Sequence, residues 1–264
     1  MPGKIRLLST DFDGTLVAHH LNQEGTRDSV LDARCMALIQ ELQNGGAIWA
    51  INTGRSMSLL ETGLTDFDFP VRPDFILTSE RDVFRRGLNG DKWEAFGDWN
   101  SRVARDHAEL YQSASAVYTK VLDYVQRNTR ARIIHERHGP EGLIAQNEEE
   151  MAQIIRFIDE ARAAHPKFHY QHNTVYLRFC HADYHKGAAL AELSRLIEVP
   201  REETFAAGDH HNDISMLDGT HAAYPACPAN AIPQVKQTVR DAGGYVAESE
   251  CGAGVYEALL YFTS

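Results

Sequence analysis

The chain has 264 residues, of which 43% are hydrophobic and 24% charged. That is enough for one large domain or two modest ones, with a core that needs neither disulfides nor a structural metal. The formal net charge of −11 opposes non-specific binding to nucleic acid or to an anionic membrane, both of which need a basic footprint.

An anionic substrate remains compatible with that charge, because a few local cations, a bound metal and helix N-termini can hold a phosphate inside an acidic protein. Cys35, Cys180, Cys227 and Cys251 form no CxxC pair and no zinc-like spacing, so buried free thiols are expected. The leading segment Met1–Leu8 is too short for the apolar region of a signal peptide, and no apolar run approaches membrane-spanning length. A cytoplasmic protein is expected.

In chain order, Ile5–Thr10 is a short apolar run that stops at Asp11, as a buried strand would. Asp28–Gln43 carries Val30, Leu31, Met36, Leu38, Ile39 and Leu42 at helical spacing, and Gly45-Gly46 ends it. Ala47–Ile51 reads as a second buried strand, Arg55–Gly63 as a short helix and Phe75–Leu77 as a third strand. This alternation is the signature of a parallel sheet with crossover helices.

The pattern then changes. Asp82–Phe96 alternates around Gly87 and Asn89-Gly90, as an antiparallel hairpin does. A long helix over Trp99–Gln126 follows, then strands at Arg132–His135 and Gly142–Ala145, a helix at Glu148–Ala164, and two short strands within His169–Phe179 around His172-Asn173. From His185 the α/β alternation resumes: helix Lys186–Ile197, strand Thr204–Ala207, a helix start at Asp213–Leu217, strand Ala222–Tyr224, and helices at Ala231–Ala242 and Ala253–Phe262. The expected organisation is an α/β core of residues 1–80 and 183–264, interrupted by an α+β domain at 81–182.

The chemistry concentrates at strand ends, where ligands bind in open α/β sheets. Asp11-Phe12-Asp13-Gly14-Thr15-Leu16 places two carboxylates where the first strand stops, and Gly14 permits an unusual backbone angle beside a ligand. Asn52-Thr53-Gly54-Arg55 follows the second strand, so Thr53 can offer a hydroxyl and a backbone N–H to a phosphate. Lys186, in His185-Lys186-Gly187, opens the first helix after the insertion and can reach the same edge. Gly208-Asp209-His210-His211-Asn212-Asp213 adds two further carboxylates behind the strand Thr204–Ala207. Hard oxygen ligands of this kind suit Mg²⁺. Together with a carboxylate nucleophile, a cation and a general acid/base, they are the parts of a phosphoryl-transfer site.

The ordered set DxDGT, Thr-Gly-Arg, Lys-Gly and GDxxND resembles the haloacid dehalogenase superfamily. The large insertion between Thr53 and Lys186 resembles its Cof-type branch with a type IIB cap, to which sugar-phosphate and sucrose-phosphate phosphatases belong. The resemblance implies a Rossmann-like parallel-sheet core with an inserted α+β cap that closes over the site. It also implies Mg²⁺-dependent hydrolysis of a small phosphorylated metabolite, with a sugar phosphate foremost.

By the same resemblance Asp11 is the nucleophile and Asp13 the general acid/base. Mg²⁺ is held by Asp11, the backbone carbonyl of Asp13 and Asp209, with Asp213 in support. Thr53, Gly54, Arg55 and Asn212 serve the phosphate or substrate, and Lys186 binds phosphate and screens Asp11. Arg55 has a second reading, as the partner of a core carboxylate. A phosphomutase or phosphotransferase would use the same residues, and a phosphosugar sensor is the rival without catalysis.

Two departures from the family pattern fall where the substrate is chosen. The third strand is followed by Thr78-Ser79-Glu80-Arg81 in place of the usual Asn-Gly, and His210-His211 occupies a loop that commonly holds small residues. The histidine pair suits a leaving-group contact or simple exposure better than a metal site. His135-Glu136-Arg137-His138 reads as a polar strand end or a specificity loop, and Tyr170, Tyr176 and Phe179 as core of the inserted domain.

Overall fold

A computed structural model of the chain describes residues 5–21, 27–87, 92–135 and 142–264. The first half of the core runs β1 (Leu7–Thr10), β2 (Val17–Leu21), β3 (Arg27–Leu31), α1 (Ala33–Asn44), β4 (Ile48–Asn52), α2 (Met57–Asp66), β5 (Phe75–Thr78), β6 (Asp82–Arg86) and β7 (Trp93–Ala95). The inserted segment contributes α3 (Trp99–Ser113), α4 (Ser115–Asn128), β8 (Arg132–Ile134), β9 (Gly142–Ile144), α5 (Glu148–Ala161), β10 (Phe168–Asn173) and β11 (Tyr176–His181). The chain then resumes with α6 (Lys186–Leu196), β12 (Thr204–Ala207), α7 (Ile214–Leu217), β13 (Tyr224–Cys227), α8 (Pro233–Asp241), β14 (Tyr245–Val246) and α9 (Cys251–Thr263).

These elements form two compact units, residues 1–100 with 186–264 and residues 101–185. In the larger unit the described strands line up as β14-β13-β12-β1-β4-β5-β6-β7. From β14 to β5 every pairing is parallel, and β6 and β7 are antiparallel additions at one edge. β1 is central and completely buried, which is why Leu7-Leu8-Ser9-Thr10 reads as a continuous run and not as an alternating one. Trp49 on β4 is fully buried and donates its indole N–H to Thr10 Oγ1 at 3.1 Å. Phe12, between Asp11 and Asp13, stacks on Phe69 and anchors that stretch of chain in the core.

Two expectations are corrected. Residues 28–31, assigned above to a helix, pair antiparallel with Val17–Leu21, and the helix begins only after Asp32. Asp32 caps it, its carboxylate accepting from the N–H groups of Arg34 and Cys35 at 2.9 and 3.0 Å. Val30 and Leu31 suit either structure by hydrophobicity, and the strand partner 10 or more residues upstream decides. The hairpin at 82–96 exists but belongs to the larger unit, because β6 continues the sheet from β5. The boundary expected at residue 81 therefore falls at 101.

The smaller unit is an antiparallel sheet, β10-β11-β9-β8, whose core is shared with α4 and α5. Val117, Val121 and Val125 of α4 and Met151, Ile154 and Ile158 of α5 recur at helical spacing and are buried against Leu143, Phe168, Leu177 and Phe179. Phe179 is core, as expected, and Tyr170 packs on its margin. The long helix expected over 99–126 is two, divided at Ala114. Of the His135–His138 motif, residues 136–138 lie outside the described residues. Among the described residues no helix is long and apolar enough to cross a membrane.

Candidate active site

Parallel pairing carries the carboxyl ends of β1, β4, β5 and β12 to one edge of the sheet. Asp11, Thr53, Ser79 and, just beyond Gly208, Asp209 follow those ends. Lys186, the first residue of α6, meets them there, although 175 residues separate it from Asp11 in sequence.

Asp11 is 6% exposed and Lys186 1%. The ammonium donates to Asp11 Oδ1 and to Asp213 Oδ1, both at 2.6 Å. Burial pushes the Asp11 carboxyl well above the usual range. Lys186 pulls it down, but Asp213 and Asp209 push it up again. Burial by itself would lower the lysine, and the two aspartates outweigh it, so the ammonium stays charged. Asp209 is pushed up to about 7, chiefly by burial and then by Asp213, against the opposing pull of Thr15 and Lys186.

Ligand atoms of Asp11, Asp209 and Asp213 lie within 4.8 Å of one another. Their oxygens are unequally committed. Asp213 Oδ1 takes the lysine, and its Oδ2 accepts from the backbone N–H groups of Asp209 and His210 at 2.9 Å each. Asp213 thus holds the lysine and shapes the loop. Asp209 Oδ1 accepts the Thr15 hydroxyl at 2.8 Å. Asp11 and Asp209 each keep a second oxygen with no hydrogen-bond partner among the described residues. Two free carboxylate oxygens in a cluster with one neutralising cation fit a hard divalent ion. Gly14 makes room for this: its φ is +77°, and a Cβ there would stand 2.5 Å from Asp209 Oδ2.

Thr53 is buried, and its Oγ1 accepts from the N–H of Arg55 at 3.1 Å, which leaves the hydroxyl hydrogen for a ligand. The helix after it begins later than expected, at Met57, so Thr53 lies in the loop ahead of the helix. Arg55 pairs with a carboxylate of the site itself, Asp13, and not with one in the core. Its Nε and Nη2 donate to the two oxygens of Asp13, each at 2.7 Å, while its guanidinium lies 4.7 Å from the Phe12 ring centroid. The rings of His210 and His211 meet edge to face, and burial lowers the proton affinity of His211. Neither joins the carboxylate cluster.

The family model for haloacid dehalogenase-like hydrolases matches residues 91–259, well over half of the chain. The chain belongs to the haloacid dehalogenase-like hydrolase family. The resemblance read from the four motifs is thereby met. Among solved structures it is similar to a sucrose-phosphatase from Synechocystis in complex with sucrose and phosphate. The TM-score is 0.73 at 17% identity over 98% of both chains, which is a likeness of fold. In sequence it is similar to a glucosylglycerol-phosphate synthase of Pseudomonas anguilliseptica, 24% identical over 97% of this chain and 30% of that protein. A phosphoglycolate phosphatase of Methanosarcina acetivorans is 32% identical over 30% of this chain and 32% of that protein. The chain thus spans about a third of the length of the curated relatives it matches.

Three residues of the candidate site were not singled out from sequence. Thr15 orients Asp209. Asn230 donates to the Gly14 carbonyl at 2.8 Å and accepts from the Cys251 N–H at 2.8 Å, so it props the DxDGT turn from behind. Glu80 is 8% exposed and accepts from Asn212 Nδ2 at 2.8 Å. Its signal was present, in the Thr78–Arg81 departure from Asn-Gly, but nothing local says that the side chain turns toward residue 212.

Proposed function

We propose that this hydrolase is a Mg²⁺-dependent phosphomonoesterase that works through an aspartyl-phosphate on Asp11, with a small sugar phosphate as its substrate. The observation that carries this is the buried Asp11, one oxygen held by Lys186 and the other unbonded among the described residues, at the edge of a carboxylate cluster.

In this reading the free oxygen of Asp11 attacks phosphorus in line, and the bond from phosphorus to the leaving oxygen breaks. Asp13 gives that oxygen a proton. Asp13 then takes a proton from the water that cleaves the acyl-phosphate, which regenerates Asp11 and releases phosphate. Asp13 therefore starts the cycle protonated and is reprotonated by that water, and the Arg55 guanidinium orients it and stabilises its ionised carboxylate between the two steps. The Lys186 ammonium lowers the repulsion between Asp11 and an incoming dianion, and the Thr53 hydroxyl donates to a phosphoryl oxygen. Asp11, Asp209 and the backbone carbonyl of Asp13 would hold the metal, with Asp213 steadying the set. Bound there, the metal would supply Lewis-acid neutralisation of the charge on the phosphoryl group.

Two relatives whose names concern sugar compounds, the glucosylglycerol-phosphate synthase and the sucrose-phosphatase, support a sugar phosphate. The phosphoglycolate phosphatase shares a shorter stretch. The test is phosphate release from a panel of phosphomonoesters with Mg²⁺ and with EDTA, for the wild type and Asp11→Asn. Release that needs Mg²⁺ and disappears in the variant is expected. Transfer of the phosphoryl group to an added alcohol with no free phosphate would establish a phosphotransferase instead.

A further inference from the structure

The turn that joins β5 to β6 departs from the family pattern and carries backbone strain. Ser79 and Glu80 are consecutive non-glycine residues in the left-handed region, with φ of 53° and 66°. Backbone hydrogen bonds hold them there: Ser79 N–H to the Arg55 carbonyl at 2.8 Å and Glu80 N–H to the Thr53 carbonyl at 3.0 Å. The turn is clipped to the phosphate-binding loop. Its outcome is that the Glu80 side chain lies beside Gly54, where a Cβ would stand 3.1 Å from Glu80 Oε1, and reaches Asn212.

This contact decides which way the Asn212 amide faces. A carboxylate offers only lone pairs, so the group 2.8 Å from Glu80 Oε1 is the amide NH₂; the opposite orientation would set two oxygens against each other. Asn212 Oδ1 is then directed away from Glu80. It is buried, on a residue 8% exposed, and among the described residues it has no hydrogen-bond partner. A buried acceptor left unpaired is costly and calls for a donor. A phosphoryl dianion has only acceptors, so the phosphate itself does not answer it. A hydroxyl does.

We infer that Glu80 is a positioning residue that fixes Asn212 Oδ1 as a hydrogen-bond acceptor for a hydroxyl of the leaving group. The hydrolase thereby selects polyhydroxylated phosphomonoesters over equally sized esters without hydroxyls. This rests on the phosphomonoesterase reading and adds to it the pair that enforces the substrate class. A site built to receive a hydroxyl rejects the analogue that lacks one more strongly than an apolar pocket rejects an added hydroxyl, because the unfilled acceptor stays desolvated and unpaired.

The test compares kcat/KM for glycerol 3-phosphate and n-propyl phosphate, which share charge and carbon count and differ in two hydroxyls. Wild type, Glu80→Gln and Glu80→Gly are measured with Mg²⁺. Glutamine can donate, so the Asn212 amide is free to invert. Glycine removes the anchor and suits the left-handed backbone, which separates the effect from strain. The wild type should prefer the glycerol ester, and both variants should lose that preference by about tenfold or more, mainly through a higher KM for the hydroxylated ester. Equal losses on both esters, or an unchanged ratio in the variants, would make Glu80 a structural residue and overturn the inference. A wild type that cleaves both esters equally also overturns it while leaving the phosphatase reading intact. A wild type that cleaves no phosphomonoester defeats both.

Discussion

Lys186→Met removes a buried ammonium and keeps most of its stem. In the wild type that ammonium bridges Asp11 and Asp213 at 2.6 Å each, with Asp209 in the same cluster. Breaking a buried pair by deleting one partner costs about 3–5 kcal/mol, because the charge left behind is uncompensated. Here two partners lose their cation, so the upper part of that range applies when the carboxylates are ionised. Protons can substitute for the ammonium, since burial already pushes Asp11 up and Asp209 up to about 7. The loss should therefore be large at pH 8 and smaller at pH 5.5. The assay is urea unfolding in EDTA followed by tryptophan fluorescence. All three tryptophans lie in the larger unit, so the signal reports the unit that contains the site. Excess Mg²⁺ should recover much of the lost stability, because a divalent cation supplies the missing charge. A loss below about 1 kcal/mol at pH 8 in EDTA, or one equal at both pH values, would refute the claim that Lys186 neutralises this cluster.

Three other outcomes follow from the same geometry. In EDTA the wild type should become less stable as pH rises from about 4 to about 7, because Asp209 carries a proton in the folded protein up to about 7 and loses it near 3.8 when exposed; a pH series of unfolding midpoints that rises across this window and is unmoved by Asp209→Asn counts against it. Excess Mg²⁺ should flatten that trend, since bound carboxylates are ionised. Gly14→Ala forces a Cβ into Asp209 at 2.5 Å in a backbone conformation that suits glycine; phosphate release should fall by about a hundredfold, with weakened Mg²⁺ affinity by calorimetry, and wild-type activity would show that Asp209 is not the constrained group. Asp32→Ala removes the cap of α1 and should cost about 1 kcal/mol in urea. Because Arg34 and the capped N–H groups lower the Asp32 carboxyl, that contribution is present above its unfolded value and vanishes in acid, so the wild-type and variant curves should converge at low pH.

Much of the site was legible in the sequence because its parts sit at strand ends. A buried parallel strand is a short apolar run, and a polar motif directly after it marks the sheet's carboxyl edge, which Asp11, Thr53 and Asp209 all do. The order of the four motifs carried the family. Local pattern was less decisive where an apolar segment could serve two structures. Residues 28–31 resolve as a strand only through Val17–Leu21, and the 82–96 hairpin joins the core only through β5.

The α/β core, the interruption by an α+β segment and the polar motifs at strand ends were legible in the sequence, since those rest on short-range hydrophobic period and on residue type. Tertiary structure alone decided their pairings: Lys186 bridging Asp11 and Asp213, Arg55 clamped on Asp13, and Glu80 turning the Asn212 amide across 132 residues. Such contacts depend on where a buried charge finds its nearest counter-charge or donor once the strands are aligned, and that is a property of the assembled sheet edge, not of any segment that contributes to it.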